Sequence, residues 1–196
     1  MAHPWTLAQW QPRSRQNHAS IDSRGASSLT GVMPTKNKIA IFGAGCFWGV
    51  ESAFRAVEGV VDAVVGYAGG TVPKPNYRAV CTGKTGHAEV VQVEYDPARV
   101  SFEQLLDVFW QIHDPTTPNR QGPDVGTQYR SIIFCSDDHE RMAAEESKRR
   151  LEESGKLARP VVTQIVPATE FYPAEEYHQR YYERRGIAPT CGIHAR

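Results

Sequence analysis

Charge of one sign is the first thing this sequence lacks: its 22 Lys and Arg stand against 22 Asp and Glu. That balance removes the electrostatic case for nucleic acid or an anionic membrane surface as a partner. Long apolar runs are also missing. None approaches the roughly 20 residues of a membrane-spanning helix. Cysteine is sparse, with four scattered residues (Cys46, Cys81, Cys135, Cys191) and no close pairs. Zinc sites show short-range ligand pairs, so no metal is expected. No secretory apolar segment is visible, and the expectation is a reducing, cytoplasmic setting in which thiols stay free.

What is present begins with residues 43–49, Gly-Ala-Gly-Cys-Phe-Trp-Gly. Lys38-Ile-Ala-Ile-Phe42 upstream reads as a buried strand. Val50, Ala53, Phe54 and Val57 downstream recur at helical spacing and end at Gly59. Cys46 therefore sits where a strand hands over to a helix. Free N–H groups and the macrodipole at that end favour an anion, and helix N-termini lower a thiol's pKa. This makes Cys46 a candidate activated nucleophile, with Phe47 and Trp48 as aromatic walls. A buried structural thiol is the competing reading. A dinucleotide loop is the third, but Trp48 stands where its third glycine belongs.

Residues 1–35 read as a disordered extension, rich in Ser, Gln and Arg with one acidic residue, Asp22. An organelle transit peptide and a start site misassigned ahead of Met33 are the alternatives. From Lys36 onward the chain is long enough for a proper core. Val60–Tyr67 reads as a strand, then a loop through Pro75, then a short helix or turn carrying Tyr77 to Cys81. Ala88–Tyr95 is a strand in which Glu89 begins the face shared by Val91, Val93 and Tyr95. A carboxyl held against an apolar face has its pKa raised by desolvation. An idle edge glutamate is the alternative.

Ser101 caps an amphipathic helix of Phe102, Leu105, Leu106, Phe109 and Trp110. A polar loop runs from Pro115 to Gly126, and such loops are functional or disordered. Ser131–Cys135 reads as a buried strand, 137–157 as a charged helix, Val161–Val166 as a strand, and Pro173–Gly186 as a last helix. The tail after it carries Cys191, which is oddly placed for core packing. The pattern is α+β: a two-layer domain, with a mixed β-sheet covered by helices around a ferredoxin-like core. The expected division is an extension (1–35), a catalytic domain (36–186) and a mobile tail (187–196).

Taken together the motifs resemble one family, peptide methionine sulfoxide reductase A. The matching runs are Gly45-Cys-Phe-Trp-Gly49, Gly66-Tyr-Ala-Gly-Gly70, Asn76-Tyr-Arg78, Gly86-His-Ala-Glu89, His113-Asp-Pro115, Asn119-Arg-Gln-Gly122, Asp124-Val-Gly-Thr-Gln-Tyr-Arg130 and Ala174-Glu-Glu-Tyr-His-Gln179. The resemblance implies thiol-dependent reduction of methionine-(S)-sulfoxide, free or in oxidised proteins. It implies Cys46 as nucleophile, Phe47 and Trp48 around the substrate methyl, Glu89 as acid, Tyr77 and Tyr129 on the sulfoxide oxygen, and Asp124 on the polar side. It further implies Cys191 as the resolving cysteine, thioredoxin as reductant, and no metal or organic cofactor. A monomer is expected. Many members carry two cysteines in a glycine-rich tail, whereas this tail is short and carries one. A thiol peroxidase using Cys46 and Cys191 is the competing enzyme reading, and it leaves the aromatic walls unexplained.

Overall fold

The computed structural model describes residues 36–188. The expectations for the extension (1–35) and for Cys191 lie outside the described residues. Among the described residues eight strands and five α-helices follow in order. Strand β1 is Lys38–Ala44, β2 Val60–Ala68, β3 Ala88–Tyr95, β4 Arg120–Gln121, β5 Asp124–Val125, β6 Ser131–Cys135, β7 Gln164–Pro167 and β8 Tyr172–Pro173. Helix α1 is Phe47–Arg55, α2 Tyr77–Cys81, α3 Phe102–Gln111, α4 Asp138–Glu153 and α5 Tyr181–Arg185.

Six strands form one mixed sheet in the order β7-β6-β1-β3-β2-β8, antiparallel except for β6 against β7. Its centre has the β-α-β-β-α-β path of a ferredoxin-like fold, so the α+β expectation holds. The alternation of side chains along a strand gives the sheet two faces. On one face Phe42 stacks with Phe54 of α1 at 5.0 Å between ring centroids and meets Phe109 of α3 at 5.5 Å. On the other, Ile41, Val90, Ile132 and Phe134 pack under Val166 and Phe171. The α3 start is fixed by a capping box: Ser101 Oγ accepts from Gln104 N, and Gln104 Oε1 accepts from Ser101 N.

Three expectations are corrected. The last helix does not begin at Pro173. Pro173 belongs to β8, an edge strand where a missing N–H costs nothing, and it pairs with Gly66. A 3₁₀ turn at Glu176–His178 follows, and Arg180 adopts φ 51°, which interrupts any continuous helix before α5. The strand expected from Val161 starts only at Gln164; Val161 and Thr163 are instead buried as irregular chain. The loop from Pro115 to Gly126 holds a small hairpin, β4 against β5. No helix among the described residues is long and apolar enough to cross a membrane.

Candidate active site

Strand β1 delivers the chain to Cys46 through Gly45, which sits at φ +93°, a conformation a side chain would strain. Cys46 is the N-cap of α1. It is half-buried. The register then brings β3 alongside, with Phe42 opposite Val91, so Glu89 lies past the end of that pairing, beside the Cys46 turn. Phe47 N donates to Glu89 Oε2 at 3.2 Å. Glu89 is 2 % exposed. Burial drives its pKa from 4.5 up to about 8, with the Phe47 N–H working against the rise and Asp124 adding to it.

The expected lowering of the Cys46 pKa does not occur. Burial first, and then the Glu89 charge, push the thiol up to about 11. The N–H groups of Trp48 and Gly49 do pull it down, as a helix start should, but they are outweighed. The physical reason is that a carboxylate and a thiolate share one dry turn, and each penalises the charged form of the other.

The tyrosines arrive from separate elements. Tyr77 opens α2, where Asn76 Oδ1 caps the helix by accepting from Ala79 N at 2.9 Å. Tyr129 closes a 3₁₀ turn, Thr127–Tyr129, just before β6. Burial, then the charges of Glu89 and Asp124, hold Tyr129 up to about 12. Tyr77 is raised by burial and by its hydrogen bond to Cys81. Both phenols therefore stay protonated as donors. Asp124 enters from β5 and is close enough to raise both Glu89 and Cys46. Cys46, Phe47, Trp48, Tyr77, Glu89, Asp124 and Tyr129 thus converge on one place. Cys81 lies beside it through Tyr77, and Cys135 is buried in β6.

The sequence reading assigned no role to the groups that support this cluster from the C-terminal segment. Trp48 Nε1 donates to His178 Nδ1 at 3.1 Å, and the indole stacks on Tyr181 with centroids 3.7 Å apart. His178 is 2 % exposed and its pKa is lowered by burial. Glu175 accepts from Tyr67 Oη and from Tyr77 N, each at 2.9 Å. Buried Glu51 of α1 accepts from Arg180 N at 2.9 Å. Only the Ala174–Gln179 motif signalled this segment, and spacing alone assigned it no partner. Among the described residues no cluster of His, Cys, Asp and Glu is built to hold a metal ion.

Aromatic surface (Phe47, Trp48), protonated oxygen donors (Glu89, Tyr77, Tyr129) and a thiol are thus gathered about the start of α1. Such a set of groups suits a substrate whose oxygen accepts hydrogen bonds close to a nucleophilic sulfur.

Comparisons with known proteins identify relatives of the whole described domain. The family model described as "Peptide methionine sulfoxide reductase" matches residues 38–196. A peptide methionine sulfoxide reductase MsrA from Methanoculleus marisnigri is 63% identical over 147 residues, covering 75% of this chain and 90% of that protein. The MsrA of Acidobacterium capsulatum is 55% identical over 154 residues, covering 79% and 98%. Among solved structures, reduced Mxr1 from Saccharomyces cerevisiae superposes with TM-score 0.75 at 39% identity, covering 83% of this chain and 93% of that one. Mxr1 in complex with Trx2 gives TM-score 0.54 at 30% identity, covering 80% and 92%.

Proposed function

The chain belongs to the peptide methionine sulfoxide reductase family, and from that premise we propose that it reduces the S epimer of methionine sulfoxide, free or in oxidised proteins, with Cys46 as nucleophile. The observation that carries the reading is Glu89, 2 % exposed against the start of α1, with its carboxyl raised to about 8. A sulfoxide sulfur accepts a nucleophile only when its oxygen is protonated or strongly hydrogen-bonded. That calls for a carboxylic acid that remains neutral near pH 7, and burial supplies one.

The Cys46 sulfur bonds to the sulfoxide sulfur. Glu89 gives its proton to the oxygen, and Tyr77 and Tyr129 donate to the same oxygen. The thiol proton replaces the one Glu89 gave. The oxygen passes to Cys46, the bond between the two sulfurs breaks, and methionine leaves with Cys46 as a sulfenic acid. Cys191 then attacks that sulfenic acid, water departs and a disulfide forms. A thioredoxin dithiol reduces it, a role in line with the solved complex of Mxr1 with Trx2. Phe47 and Trp48 take the methyl, so only one epimer turns its oxygen toward the donors. No organic cofactor or metal enters this scheme.

The test is a single turnover by the pre-reduced chain on each epimer, with thiols counted before and after. One methionine per chain from the S epimer alone, with two thiols lost, is the expected result. Release from both epimers would remove the wall assignment, and release from neither would remove the activity. Loss of one thiol would keep the reduction but exclude Cys191 as the resolver.

A further inference from the structure

We propose that Gln121 is a positioning residue that holds the Asp124 hairpin against the Cys46 turn. The inference rests on the function proposed above. Gln121 lies in the Asn119–Gly122 motif and is given no part in that scheme. Its side-chain amide forms two hydrogen bonds to the backbone of one residue, Asp114. Oε1 accepts from Asp114 N, and Nε2 donates to Asp114 O, each at 3.1 Å. The side chain thus imitates a strand partner for Asp114.

Asp114 is a firm anchor. Its Oδ1 accepts from Thr116 N at 2.9 Å and from Thr116 Oγ1 at 2.6 Å, and Oδ2 meets Arg159 at 3.2 Å. The preceding His113 is held by Phe109 O and Ser131 Oγ, each at 2.7 Å. From that anchor Gln121 reaches in two directions. Its backbone pairs with Asp124 across the β4–β5 hairpin. Its Cβ and Cγ lie 2.7 and 2.6 Å from where a Cβ on Gly45 would stand. Gly45 immediately precedes the nucleophile. One side chain therefore sets both the height of the turn that presents Cys46 and the seat of the hairpin that carries Asp124. A displacement of about 1 Å between reacting groups can cost about a hundredfold in rate.

The test uses the full chain with three substitutions. Gln121→Met keeps the packing over Gly45 and loses both hydrogen bonds. Gln121→Glu keeps the acceptor for Asp114 N and loses the donor to Asp114 O. Gln121→Ala loses the packing as well. Three readouts are taken: the single-turnover rate of methionine release, the melting temperature, and the pH profile of Cys46 alkylation by iodoacetamide in a background where the other cysteines are serine. We expect Gln121→Ala to slow release by about tenfold to a hundredfold. We expect its alkylation profile to move to lower pH, because the nearby Asp124 charge recedes and water enters. Gln121→Met should fall between it and the parent in both readouts, whereas Gln121→Glu should slow release while its added negative charge keeps the alkylation profile from moving to lower pH.

Unchanged release and an unchanged alkylation profile in all three variants would overturn the proposal. So would a lowered melting temperature with an unmoved profile in Gln121→Ala and Gln121→Met, since that would make Gln121 a stabilising residue only. If the parent chain releases no methionine, the function proposed above fails, and the alkylation profile still decides whether Gln121 positions the turn.

Discussion

In the proposed scheme Glu89 is under opposing constraints: it must stay neutral to act, yet it sits beside a thiol that must lose a proton. Its carboxyl titrates near 8 in the fold against an ordinary 4.5, so the folded chain binds the proton more tightly than the unfolded chain does. The stability this contributes is fully present below the ordinary value. It is lost as pH rises through the folded one. Glu89→Gln has no proton to lose. We therefore expect urea unfolding to show the parent losing on the order of a few kcal/mol relative to that variant across this window. Parallel stability curves would contradict the raised pKa. In turnover, sulfoxide reduction should fall as pH passes about 8, and Glu89→Gln should be slow and flat across the same range. The same variant removes a charge that raises Cys46, so its thiol should alkylate at lower pH than the parent's, with burial still holding it above an unperturbed cysteine.

Helix α1 is the element on which the site is hung, and its far side is as constrained as its near side. Glu51 accepts from Arg180 N, Trp48 stacks on Tyr181, and Arg55 meets Glu183 at 3.8 Å. These contacts dock α5 against the walls of the pocket. Glu51→Ala leaves the N–H of Arg180 without its acceptor, at a cost of about 1–2 kcal/mol. We expect faster hydrogen exchange at the amides of Arg180 and Tyr181 and little change in β3. Equal exchange in both would show that α5 is held by other means. The strand before Cys46 and the helix after it were legible because apolar spacing and glycine placement are local signals. Glu89 was legible because it interrupts an otherwise apolar face at a strand end. His178 and Glu175 were not, because their partners, Trp48 and Tyr67, lie 130 and 108 residues away in the chain. The raised Cys46 thiol was missed for the same reason: a helix start is visible in sequence, but a carboxylate folded against it is not.

At the scale of the molecule, reduction and recycling draw on different parts of the chain. In the proposed scheme reduction uses groups between Cys46 and Tyr181, whereas recycling needs Cys191. We expect Cys191→Ser to release one methionine per chain and then stop under thioredoxin, with continued cycling arguing for another resolving thiol. The sheet order was only partly readable. The central β-α-β-β-α-β path and most of the β7 edge follow from local patterns, but the β8 edge does not. Strand β8 is two residues long and is specified by its pairing with Gly66 and Tyr67 rather than by its own composition.

That edge strand and the segment after it bear on how the protein is made. Tyr67, Trp48 and Tyr77 all wait for partners between Glu175 and Tyr181. A chain emerging from the ribosome exposes Cys46 long before those partners exist. Pairings of such separation form late. The nascent protein therefore carries a cysteine without its aromatic enclosure, and completion of the last segment both closes the fold and brings the pocket into being.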